Sequence, residues 1–119
     1  MTKEDKICTN IDQSKKLIEL GIDINTADML WTYDFMVNDI NGLNVISELL
    51  KPEENDIPAW SLTALLKLIP KSMISTPNPL STNYCCRNVE FDMEFYADNP
   101  VDAVFEMVVW LKENNLKEK

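Results

Sequence analysis

Asn99-Pro100-Val101-Asp102 opens the segment that most limits what this sequence can fold into. Asn99 is a residue type that caps helix N-termini. Pro100 suits the first helical position, where an N–H would have no intrahelical partner, and Asp102 complements the positive end of the helix dipole. Val104, Met107, Val108 and Leu111 then recur at helical spacing, and Phe105 and Trp110 widen the stripe. The spacing predicts a helix over 99–114 that gives way at Asn114-Asn115 to a charged tail, 115–119, expected to fray. So broad an apolar face must be covered by the rest of the chain.

The alternation of Val89, Phe91, Met93 and Phe95 with Glu90, Asp92, Glu94 and Tyr96 predicts a strand over 89–96. Its Phe91, Met93 and Phe95 should face inward and its carboxylates water. Tyr84-Cys85-Cys86-Arg87 reads as a preceding strand, with Asn88 as a bend between the two. Two further helices are punctuated clearly. Asn10 and Gln13 form a capping box, Ile11, Ser14, Leu17 and Ile18 share a face, and Gly21 offers a left-handed terminus. Ser61 caps the other, Leu62, Leu65, Leu66 and Ile69 bury, Lys67 faces water and Pro70 stops it.

The remaining stretches are less patterned. Residues 1–8 read as a loose, charged arm. Residues 29–35 admit two readings: a strand with Trp31, Tyr33 and Phe35 on one face, or a short helix from Ala27 capped by Thr26. Residues 38–56 read as an excursion, with a turn at Asn38 to Gly42, a short helix over 45–50 and an acidic loop at 52–56. Residues 71–83, holding Pro77 and Pro79, read mostly as loop. The expected class is α+β, with about three helices packed on a small, mostly antiparallel sheet, in a single domain over 1–119.

Charge narrows the function. Twenty Asp and Glu face eleven Lys and Arg, a formal net charge of −9, and residues 21–60 hold eight acids against Lys51, a net −7. There is no His, one Arg (Arg87) and two Gly (Gly21 and Gly42). His-based triads, HExxH zinc sites, glycine-rich phosphate loops and arginine clamps are thereby excluded. Nucleic acid and anionic membranes both require a basic patch, and none is present, so neither is an expected partner. No apolar run approaches the ~20 residues of a membrane span. No apolar signal segment follows Met1, and Cys8, Cys85 and Cys86 make a poor disulfide framework. The expected setting is the cytoplasm, with no cofactor, metal or disulfide required.

Four groups of residues carry candidate chemistry. Glu90, Asp92 and Glu94 would project from one strand face about 7 Å apart, a spacing that could suit an inverting glycosidase pair or a hard cation, but the first expectation is the ordinary wet face of a half-buried strand. Cys85 and Cys86 invite comparison with a redox pair or, with Cys8, a soft-metal site. They lack CxxC spacing, and in a strand they would point to opposite faces. Ser61 with Lys67 is a conceivable nucleophile pair without a histidine to assist it. Trp31, Tyr33, Asp56 and Trp60 form the candidate ligand-binding or interface group, because aromatics beside acids line pockets and anchor partners. Aromatics beside helix ends also serve simply to fix the chain by packing.

Four blocks occur in a recognisable order: Gln13-Ser14-Lys15-Lys16-Leu17-Ile18-Glu19-Leu20-Gly21; Thr26-Ala27-Asp28-Met29; Ile57-Pro58-Ala59-Trp60-Ser61-Leu62-Thr63-Ala64-Leu65-Leu66; and Asn99-Pro100-Val101-Asp102-Ala103-Val104 with Trp110-Leu111. In these the chain resembles a group of small uncharacterised proteins of Bacteroides-type bacteria, often associated with prophages or mobile elements. The resemblance covers about half the chain and implies a bacterial cytosolic setting and a shared fold. It implies no mechanism. The expected function is a non-catalytic protein-interaction module that binds a protein partner or self-associates, through acidic residues 34–56 and the aromatics near Trp31 and Trp60. The alternative is a small carboxylate-dependent enzyme or ligand-binding domain.

Overall fold

A computed structural model describes residues 7–47, 52–53, 55–75 and 83–114. Its helices are α1 (Ile11–Glu19), α2 (Leu62–Leu68) and α3 (Pro100–Glu113). Its strands are β1 (Met29–Asp34), β2 (Asp39–Val45), β3 (Ile57–Ala59), β4 (Ser72–Ser75), β5 (Tyr84–Asn88) and β6 (Met93–Ala97). The strands form two antiparallel three-stranded sheets, ordered β2-β1-β3 and β4-β5-β6, so the class is α+β. Among the described residues, no helix is long and apolar enough to cross a membrane.

Helix α3 is the centre of the core. Asn99 caps it by accepting the Asp102 amide, and Val101, Ala103, Val104, Phe105, Met107, Val108 and Leu111 are all buried. One face packs on β5 and β6 and another on α2. Phe91 and Phe95 approach the Trp110 ring at centroid distances of 6.2 and 6.4 Å. Leu17 of α1, Leu65 of α2, Trp60 and Cys86 complete the same cluster. Helix α1 begins with the expected box: Asn10 Oδ1 accepts the Gln13 amide at 2.7 Å and Gln13 Oε1 accepts the Asn10 amide at 3.1 Å.

Residues 29–34 are strand, and Thr26 does not cap a helix at Ala27. It closes a 3-10 turn over Ile24–Thr26, donating its hydroxyl to the Asp23 carbonyl at 2.6 Å. The reversal after β1 is made by residues 35–38, earlier than the expected turn at 38–42, with Asn38 at φ 56. Asn41-Gly42 instead form a bulge within β2. Trp31 pairs with Leu43 and Tyr33 with Ile40, so two residues oppose Thr32, and Gly42 takes φ +118. Val45 ends this strand and does not start a helix; residues 48–50 of the expected helix lie outside the described residues.

The strand expected over 89–96 is a turn followed by β6. Asn88, fully buried, accepts the amides of Glu90 and Phe91 at 3.0 and 2.9 Å and donates to Ser72 Oγ at 3.0 Å. This ties down the reversal, leaves Val89 outside at 54% exposure, and sets Asp92 at φ 51. The alternation of faces nevertheless persists: Phe91, Met93 and Phe95 pack against the core while Glu90, Asp92 and Glu94 are exposed.

Strand β4 falls in the stretch read mostly as loop, and β3 in a stretch for which no element is expected. Pro58 pairs with Leu30 on an edge strand, where a residue without an N–H is tolerated. At the N-terminus, Cys8 is buried and bridges to Ser61, so the expected arm over 1–8 does not extend that far. The rest of that arm, 1–6, and the tail 115–119 lie outside the described residues.

Candidate functional site

Trp31 and Trp60 are held by an internal polar network. The Trp60 amide donates to Thr9 Oγ1 at 3.0 Å, the Thr9 amide to the Trp60 carbonyl at 2.9 Å, and Thr9 Oγ1 meets Ser14 Oγ at 2.8 Å. The Trp31 indole N–H donates to the Thr9 carbonyl at 3.1 Å, and that of Trp60 to Thr26 Oγ1 at 2.9 Å. Buried indole N–H groups need such partners. Trp60 is 0% exposed and belongs to the core, so the contact surface expected around it does not form there. Trp31 is half-buried, its polar end turned inward.

Ser61 is equally committed. Its hydroxyl donates to Asp28 Oδ2 and accepts the Ala64 amide at 3.2 Å, and its own amide donates to Asp28 Oδ1 at 2.8 Å. The hydroxyl is a cap oriented by a carboxylate, while Lys67 is exposed in the last turn of α2. Asp56 also acts as a bracket. Its Oδ1 accepts the Tyr33 amide at 2.8 Å and its Oδ2 the Glu53 amide at 3.0 Å, fastening the loop before β3 to the side of β1.

That bracket places acids beside the β1–β2 turn, whose tip is Phe35-Met36-Val37. These three are 73%, 92% and 56% exposed. Phe35 stands edge-on against the Tyr33 ring at 4.9 Å, and the Tyr33 hydroxyl hydrogen-bonds Asn38 across the turn. Asp34 and Asp39 face each other as the pair that closes the hairpin. Asp34 accepts the Met36 amide at 2.8 Å and the Asn41 side-chain amide at 3.2 Å. A notch of about 160 Å³ lies between Tyr33, Phe35, Glu53, Asn55 and Asp56. Among the described residues, no cation pairs with Asp34, Asp39, Glu53 or Asp56. The apolar tip rises from Asp34 and Asp39 at its base, with Glu53 and Asp56 beside Phe35, a partial collar of four carboxylates.

Of the four residues singled out in the sequence, Tyr33 and Asp56 thus meet at this hairpin and the two tryptophans do not. Met36 and Val37 are what the sequence reading missed. The available signal was an apolar triplet between Asp34 and Asn38-Asp39, an unusual content for a turn.

The other candidate groups are placed differently. Arg87 lies 3.0 Å from Asp92 and 3.8 Å from Glu94, an exposed ion-pair set across the β5–β6 hairpin. Cys86 is buried and Cys85 half-buried, so the adjacent thiols face opposite ways. Cys85 Sγ lies 4.0 Å from Glu94 Oε2. Glu94 also accepts the Tyr96 hydroxyl at 2.5 Å. That bond, with Cys85 beside it, raises the Tyr96 phenol from 10.0 to about 12. Among the described residues, no three His, Cys, Asp or Glu side chains converge as a metal centre requires. A groove of about 500 Å³, floored by Ile22, Ile69, Val108 and Leu111, runs past the C-terminal ends of α2 and α3.

Comparison with protein-family models, with curated proteins and with solved structures finds no match for this chain.

Proposed function

We propose that this protein is a non-catalytic interaction module of the bacterial cytoplasm that engages another protein through the tip of the β1–β2 hairpin. One observation carries the reading: three consecutive large apolar residues, Phe35, Met36 and Val37, stand in water at the end of a hairpin. Singly exposed apolar residues are ordinary, but contiguous ones rimmed by polar groups mark contact surfaces. The carboxylate-enzyme alternative draws less support, because Asp92 and Glu94 are balanced by Arg87 on an exposed hairpin and the Ser61 hydroxyl serves as a helix cap. The resemblance to Bacteroides-type mobile-element proteins supplies the cells in which a partner is to be sought.

The test is retention of proteins from such cells by the parent chain and by its Phe35→Ser and Met36→Glu variants, each checked for an unchanged denaturation midpoint. The reading expects a defined protein retained by the parent and lost from both variants. The same proteins retained by all three baits contradict it.

A further inference from the structure

Resting on that reading, we infer that the surface receiving the hairpin tip is an apolar pocket rimmed by lysine or arginine side chains on a different protein. Asp34 and Asp39 carry the argument first. They stand directly opposite each other across the strand pair, an arrangement that destabilises a hairpin on its own because like charges face at close range. The hairpin holds them there. Asp34 is oriented by the Met36 amide and the Asn41 side chain, and Asp39 Oδ1 accepts the Ile40 amide at 2.7 Å.

A second pair of carboxylates is brought up from the loop before β3. Asp56 bonds to the Tyr33 and Glu53 amides, which sets Asp56 and Glu53 beside the Tyr33–Phe35 ring pair. The four acids therefore come from two separate parts of the chain, Asp34 and Asp39 at the base of the apolar tip and Glu53 and Asp56 beside Phe35. A partner that covers Phe35, Met36 and Val37 must approach these carboxylates, and opposite charge on its rim removes the repulsion between them.

The same charges select against other occupants. A second copy would bring its own net −9, concentrated as −7 over residues 21–60, against an acidic collar. Nucleic acid would bring phosphates. For a basic rim, the collar steers encounter and sets the salt dependence of association, whereas the apolar triplet holds the complex once formed.

The experiment uses the full chain with a photocrosslinking residue in place of Met36, exposed in extract of the source cells at about 0.1 M and about 1 M salt, where the Debye length is about 10 and about 3 Å. The expected result is an adduct with another protein whose yield falls several-fold at the higher salt. At the lower salt, Asp39→Asn and Glu53→Gln should reduce the yield without lowering the denaturation midpoint. A protein adduct insensitive to salt and to both substitutions overturns the basic rim and leaves the tip as a contact surface. An adduct with a second copy or with RNA overturns the class of partner. No adduct at either salt overturns the interaction reading itself.

Discussion

Asp28 grips Ser61 with both carboxylate oxygens, one on its amide at 2.8 Å and the other on its hydroxyl. This joins the start of β1 to the N-cap of α2, thirty-three residues apart in sequence. Asp28→Ala leaves the part-buried Ser61 amide without its acceptor and frees the hydroxyl to rotate off the Ala64 amide. An unsatisfied buried group costs about 1–3 kcal/mol. Urea denaturation should show that loss for Asp28→Ala. Ser61→Ala together with Asp28→Ala should be less destabilising than the two losses added, because both remove one interaction.

Met107 and Leu111 test the core stripe of α3. They are 0% and 4% exposed, so truncation to Ala creates a cavity and should cost on the order of 2–5 kcal/mol. Ile18, expected inward on α1 but 39% exposed, should give a much smaller loss on the same change. Equal midpoints for the Met107→Ala variant and the parent would remove α3 from the core.

Much of this was legible before the structure. The helices were, because capping residues and apolar periodicity act locally: Asn10, Ser61 and Asn99 cap where their sequence context says they should. The strands were less so, because alternation records which face is buried and not where the chain reverses. The pattern from Val89 to Tyr96 runs unbroken through a turn that Asn88 organises by contacts with the Glu90 and Phe91 amides and with Ser72. Strands β3 and β4 are short and owe their state to their neighbours, as the pairing of Pro58 with Leu30 shows. At the candidate site, the Tyr33 amide donates to the Asp56 carboxylate across twenty-three residues, which no local pattern encodes. Trp31 and Trp60 attract notice as large aromatics near acids, but their indole N–H groups are satisfied internally.

Asn88 is expected to be worth more than its size suggests. Asn88→Ala removes two acceptor bonds to the Glu90 and Phe91 amides and one donor bond to Ser72 Oγ. Several net hydrogen bonds at about 1 kcal/mol each, plus a small void, should lower the denaturation midpoint clearly. Hydrogen exchange should quicken first at the amides of residues 90 and 91.

Tyr96 provides a signature at high pH. Its hydroxyl donates to the Glu94 carboxylate, and with Cys85 nearby this raises its pKa from 10.0 to about 12. The folded value exceeds the unfolded one, so whatever stability the bond contributes is fully present below about pH 10 and lost as pH rises through about 12. In an ultraviolet titration of the folded protein, one phenol should ionise with a midpoint near 12, and Glu94→Gln should bring it back toward 10.

The central claim is that a protein covers the hairpin tip, and two methionines of one chain test it. Met36 is 92% exposed at the tip and Met73 is 53% exposed on β4. Brief peroxide treatment converts accessible methionine to its sulfoxide, and mass spectrometry of the two peptides reads both positions in one sample. In the purified protein both should oxidise, Met36 the faster. In extract of the source cells, Met36 should be protected several-fold while Met73 oxidises as before. Oxidation of Met36 relative to Met73 that is the same in extract as in the purified protein would contradict the account.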